Sequence, residues 1–261
     1  MSGLRAMSPC PSGRRRGLIV GLLAVGACTP APVDAIELDP TTLEDDLVAH
    51  WTFDEGSGFI AFDHSGNARD GLITGGTWLS AGRFGGALHL DEGAFVSVYD
   101  FPDAASSWSV SAWVRLTDAT PSTEAYKTVL STEIEGLGGW EMNIDRTMTQ
   151  PGGHFGYTEG PIVDKYYVVT CFCMAFGEWT HIAATVDGAA GTLSLYVGGV
   201  LGASMPVTHT ILPGSSTLYM GKWTGLGRLL VGDLDDTLVY SRALFPAEVA
   251  ELSLLSPPDV E

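Results

Sequence analysis

From Leu47 to about Leu252 the chain alternates apolar and polar residues in short runs, broken by clusters of Gly, Asp, Asn and Pro. In Ser109-Val-Ser-Ala-Trp-Val-Arg-Leu116, one side carries Val110, Ala112, Val114 and Leu116, and the other Ser109, Ser111, Trp113 and Arg115. A period of two belongs to β-strands, whose successive side chains point to opposite faces. It predicts strands over residues 47–52, 87–90, 95–98, 108–115, 127–133, 139–144, 179–187, 192–197, 216–221 and 232–240. One packed and one solvated face per strand implies antiparallel sheets. Val197-Gly-Gly-Val200 has the length of a two-residue hairpin, and Gly85-Gly86 permits a turn that residues with a Cβ resist. The helical pattern worth naming is 246–252, with Pro246 in its first turn and Val249 and Leu252 three apart. The class is therefore all-β, an antiparallel β-sandwich with Greek-key connections and a short C-terminal helical turn. Trp51 and Trp179 are expected between the two sheets, while Trp113, opposite Val110 and Val114, is divided between packing and ligand contact.

The first 27 residues follow another rule. They carry Arg5 and Arg14 to Arg16, no acid, and an apolar run from Leu18 to Ala27, the pattern of an export signal too short to span a bilayer permanently. Val25-Gly-Ala-Cys28 is similar to the lipobox of bacterial lipoproteins, which implies cleavage before Cys28 and a lipidated thiol there. The alternative is cleavage further on, after Ala35, giving a secreted chain. Residues 28–46, rich in Pro, Thr and acids, read as a tether; 47–252 read as one domain and 253–261 as a tail. Beyond residue 27 stand nine Lys and Arg against thirty-one Asp and Glu, a formal charge of −22. Such a surface repels nucleic acid and anionic lipid, so a membrane is met only through the anchor. Cys10 leaves with the signal, which isolates Cys171 and Cys173. They read as small buried hydrophobes or as a strained local disulfide, because no Cys/His cluster completes a metal set.

Seven blocks then occur in one order: Leu47-Val-Ala-His-Trp-Thr-Phe-Asp-Glu-Gly-Ser-Gly58, Asp63-His-Ser-Gly-Asn67, Gly85-Gly-Ala-Leu-His-Leu90, Trp108-Ser-Val-Ser-Ala-Trp-Val114, Trp179-Thr-His-Ile-Ala-Ala-Thr-Val-Asp187, Leu195-Tyr-Val-Gly-Gly199 and Gly232-Asp-Leu-Asp-Asp-Thr-Leu-Val-Tyr-Ser-Arg-Ala-Leu244. Their order resembles the laminin-G-like jelly roll of the concanavalin A-like lectin/glucanase superfamily. The resemblance implies first and last strands side by side and a structural Ca²⁺ there, with Asp54 facing Asp235 and Asp236 as second choice. Alternatively, Asp54 and Asp63 cap turns, as Asp readily does.

The superfamily contains glucanases, and Trp140-Glu-Met-Asn-Ile-Asp145 puts Glu141, Asn143 and Asp145 on one strand face. The pattern departs from the Glu-x-Asp-x-Glu of those enzymes, since Asn143 replaces the central acid and Asp145 is a methylene shorter. Glu133 and Glu135 form another same-face pair and read as solvated. His181 reads as a hydrogen-bonded structural histidine. Aromatic and polar residues without a regular pattern fill 152–157, 163–167 and 222–227, so Tyr157, Tyr166, Tyr167 and Trp223 are the candidate ligand contacts. The expected function is a non-catalytic cell-envelope module binding glycan or extracellular protein. The alternatives are a glucanase-like hydrolase and a purely structural or adhesive surface module.

Overall fold

The computed structural model describes residues 43–117, 125–135, 137–147, 150–159, 164–170, 174–207, 211–225 and 227–254, and for 159 and 164–167 the backbone alone. All lie within the unit Leu38–Glu261, and Cys28, Cys171 and Cys173 fall outside them. Two eight-stranded antiparallel sheets form the body. One contains β1 (Leu47–Trp51), β4 (Thr77–Leu79), β5 (Ala87–Leu90), β7 (Trp108–Leu116), β12 (Thr180–Asp187), β13 (Thr192–Val197), β14 (Val200–Pro206) and β16 (Gly232–Tyr240). Its order is β14-β13-β12-β7-β16-β5-β4, with β1 also pairing β16. The other contains β2 (Ile60–Ala61), β3 (Gly71–Thr74), β6 (Phe95–Val98), β8 (Tyr126–Ser131), β9 (Trp140–Asp145), β10 (Gly152–Glu159), β11 (Asp164–Val169) and β15 (Leu218–Met220), in the order β11-β10-β9-β8-β15-β6-β3-β2.

The main core lies between the sheets and takes the alternate residues that the strand period selects. Val110, Ala112, Val114 and Leu116 of β7 meet Met142, Ile144, Phe155 and Met220 there, and Trp51 is fully buried among them. Gly198 and Gly199 both have positive φ, 59° and 74°, as the hairpin between β13 and β14 requires. Two expectations change. Residues 152–157 and 163–167 belong largely to β10 and β11, paired in register from His154 with Val169 to Glu159 with Asp164. Trp179 stands outside the core, half-buried, with the Arg115 guanidinium 4.8 Å over its ring.

The helix α1 (Pro246–Leu252) explains why the first sheet is buried on both faces. Val249 and Leu252 join Leu244 and Leu43 in a second cluster against Ala183, Tyr196, Leu238 and Tyr240, which alternate with the core residues of β12, β13 and β16. Glu248 fixes the helix start. It accepts the Phe245 amide at 2.6 Å and a two-pronged Arg242 bond at 2.7 and 2.9 Å. We call this the covered sheet and the other the open sheet. Among the described residues no helix is long and apolar enough to cross a membrane.

Candidate functional site

Register across the open sheet sets one row of outward positions: Ile60, Leu72, Ser97, Tyr219, Ser131, Glu141, Gly156 and Tyr167. Seven inter-strand steps make it about 34 Å long. The row divides in two. Toward β8 and β9 its polar groups, Ser131 and Glu141, are buried and engaged with protein partners. Arg228, with φ of 54°, donates to Glu141 at 2.7 Å and lies 4.7 Å from the Trp223 ring and 5.5 Å from Tyr126. Asn143 bonds His154 at 3.2 Å, and Asp145 accepts the Thr147 amide at 2.8 Å. Glu141, Asn143 and Asp145 thus share a face, as the alternation implied, with both carboxylates already in use. Glu133, expected in solvent, is 1% exposed and accepts the Trp223 indole N–H at 2.8 Å, while Glu135 is exposed.

Toward β3, β6 and β15 the face is open and aromatic. Phe95 meets Tyr219 edge-on at 6.0 Å, with the Lys222 ammonium 4.5 and 4.7 Å from the two rings. Beside them runs a groove of about 620 Å³ lined by Ile134, Glu135, Ser215, Tyr219, Trp223 and Thr224. Trp223 is therefore placed at a cavity wall. Tyr157 is not, because it faces the core and is fully buried. Tyr166 and Tyr167 occupy β11 positions opposite Tyr157 and Gly156, and their side chains lie outside the described part. Sequence reasoning missed Tyr219 and Phe95. The signal was present, since Leu218 and Met220, and Val96 and Val98, point inward and leave their neighbours outward.

The acids proposed for calcium gather at a turn. Residue Asp54 accepts the Gly86 amide, and Asp235 accepts the Arg83 and Phe84 amides at 2.6 and 3.0 Å. Both thus hold the 82–86 turn, in which Gly85 has a φ of 52° and a Cβ would strike the Asp54 carboxylate. A bulge in β16 between Asp235 and Leu238 turns Asp236 to the His50 Nε2 at 3.1 Å. Burial pushes the Asp235 carboxyl up to about 8, with the Asp236 charge adding and the backbone amides opposing. These are hard oxygen donors of the kind calcium takes. Among the described residues, however, no group of three or more His, Cys, Asp or Glu side chains is placed to hold a metal ion.

Solved structures share this architecture. Domain 4 of the extracellular arabinanase AbnA from Geobacillus stearothermophilus, solved with arabinotriose, is 22% identical, with a TM-score of 0.62 over 80% of this chain and 98% of that one. The binding domain of Paraclostridial Mosquitocidal Protein 1 is 18% identical, with a TM-score of 0.64 over 81% of this chain and 52% of that one. The botulinum neurotoxin serotype D binding domain is 15% identical, with a TM-score of 0.62 over 81% and 52%. The chain thus spans about half of the toxin domains. No curated protein is similar to it in sequence. The model for the Laminin_G_3 family matches residues 90–250, from β5 into α1, and the chain therefore belongs to that family of the concanavalin A-like lectin/glucanases superfamily.

Proposed function

We propose that the chain is a non-catalytic module that binds a glycan along the outer face of the open sheet. The groove beside Tyr219 and Trp223 carries the reading. Aromatic faces next to hydroxyl and carboxylate groups suit the alternating apolar and polar faces of sugars, and the row is long enough for several of them. The likeness to an arabinanase domain solved with arabinotriose, and to the binding domain of a mosquitocidal protein, supports it. Export and a lipid anchor at Cys28 belong to the same proposal, supported by the apolar run before that residue. So does a structural Ca²⁺ at the 82–86 turn, held by Asp54 and Asp235 with backbone carbonyls completing its shell. Two carboxylates held at one turn support it.

A glycan array, followed by titration of a hit against Tyr219→Ala, tests the reading. Losing an aromatic anchor should weaken binding about thirtyfold, with little change in melting temperature for a residue on the outer face. Silence on the array with capture of an extracellular protein would favour adhesion. Turnover abolished by Glu141→Gln would favour the hydrolase. The chelator arm reads calcium by itself: removal should lower the melting temperature even without ligand, and an unchanged transition removes the ion.

A further inference from the structure

A second cavity, of about 350 Å³, shares no lining residue with the Tyr219 groove. It lies where β1, β7 and β16 meet the 101–105 segment, and its walls are aromatic. Trp108 and Trp140 pack 4.8 Å apart, and Phe101 lines it with them. Arg69, Asp46 and Asp103 supply charge at the same cavity.

Two observations show unused hydrogen-bonding capacity. Trp108 is 2% exposed, and its indole N–H is buried with no acceptor. The neighbouring Trp51 indole, by contrast, donates to the Arg69 carbonyl at 2.9 Å. Arg69 itself donates through Nη1 to the Val48 carbonyl at 2.9 Å, and its other guanidinium nitrogens have no protein acceptor among the described residues. A buried donor without an acceptor, as the Trp108 indole is, is uncommon, and the cavity beside it and the half-buried Arg69 is where a ligand oxygen completes the set.

We propose that this cavity is a second binding site, for a single neutral sugar ring. The ring's apolar face would lie against the aromatic wall, and its hydroxyls would accept from Arg69 and Trp108 and donate to Asp103. The lining selects this class. A carboxylate ligand would meet the like charges of Asp46 and Asp103, whereas a purely apolar one would leave the Arg69 and Trp108 donors unmet. The volume admits one ring, so this site takes a free monosaccharide or a chain end, whereas the groove takes a chain interior.

The test uses ¹⁵N-labelled protein titrated with D-glucose, D-galactose, L-arabinose and N-acetyl-D-glucosamine. The Trp108 indole signal is identified by its loss in Trp108→Phe or, should that variant not fold, by through-bond assignment. At least one sugar should shift the signal saturably, and Tyr219→Ala should leave the curve unchanged. Ala105→Trp, at an exposed lining position, should abolish the shift by filling the cavity, and Arg69→Gln should weaken binding about tenfold. If none of the four sugars moves the signal, or the shift survives Ala105→Trp, the site is overturned. Because Tyr219→Ala separates the two sites, failure here leaves the groove reading standing, and failure of the groove leaves this one.

Discussion

The two outer faces of this sandwich begin from the same sequence rule and end differently. On the covered sheet, Ser111, Trp113, His181, Leu238 and Tyr240 point away from the core, yet all are buried, because α1 and the 82–86 turn close over them. On the open sheet, Phe95, Leu72 and Tyr219 point outward and remain accessible. On each face a buried glutamate pairs with an arginine. Glu248 with Arg242 fixes the cover, whereas Glu141 with Arg228 fixes a loop beside a groove. The faces also differ in polar satisfaction. His50, Ser111, Trp113, His181 and Tyr240 of the covered sheet each bury a polar atom without a partner, against Thr128 and Asn143 on the open sheet. A face that is closed without satisfying its polar groups serves the fold, whereas an open aromatic face is free for the proposed glycan.

The largest expected effect separates the faces by stability. Leu252 is 1% exposed in the cluster under α1, and Leu252→Ala should destabilise by about 2–5 kcal/mol. Leu72 is 37% exposed in the open row, and Leu72→Ala should stay within about 0.5 kcal/mol. Urea unfolding of the two variants checks this. Equal losses would mean that the open face is covered in solution.

Acid should distinguish the faces next. Burial on the covered face pushes the His181 imidazole down to about 3, and its ring lies 5.5 Å from Trp113. An unfolded histidine titrates near 6.5, so below that pH the unfolded chain binds a proton that the native chain refuses. Stability held in full above pH 6.5 should therefore fall by roughly 1.4 kcal/mol per unit as the pH drops toward 3. His89 runs the other way. Burial lowers its pKa, but hydrogen bonds to Asp233 and Asp91 outweigh that and raise it, so its contribution is present below 6.5 and is lost as the pH rises through the raised value. Denaturation of His181→Phe between pH 7 and 4 should show a shallower acid slope than the parent; an identical slope would place the acid response elsewhere.

Much of this contrast was hidden in the sequence for physical reasons. The alternation located β13, β16 and α1 to the residue and gave the two sides of β7 correctly. It could not show that the second side of β7 is covered, because Ser109, Ser111 and Arg115 look solvated until a helix 130 or so residues later closes over their neighbours. Gly152, Gly153 and Gly156 made β10 look like a loop. Yet a Cβ on Gly153 would already press on Val197, 3.3 Å away, so the glycine marks a close approach. Trp223 was legible as an aromatic in an irregular segment. Arg228 was not, since nothing local links it to Glu141 across 87 residues. The histidine at 181 was expected to be hydrogen-bonded, and neither of its ring nitrogens has a partner. Strand pattern reports direction and is silent on what lies opposite.

The smallest effect decides what fills the covered face. Ser111 is fully buried between Leu238 and Ala183 in register, both of which belong to the apolar cluster under α1, and its hydroxyl has no partner. A dry layer makes a simple demand: an unmet hydroxyl costs about 1–3 kcal/mol, so Ser111→Ala should stabilise the protein by roughly 1 kcal/mol, or about 2–4 °C in melting temperature. Ordered water between the sheet and α1 reverses the sign. The hydroxyl would then be satisfied, and its removal would leave the water short of a partner and lower the melting temperature. Thr128→Val on the open face supplies the control, because its unpartnered hydroxyl is also fully buried but lies under no apolar helix. Stabilisation at both positions would mean that the faces are equally dry and differ only in their cover. Stabilisation at Thr128 alone would mean that the covered sheet is sealed over water, with its buried polar groups solvated within the fold.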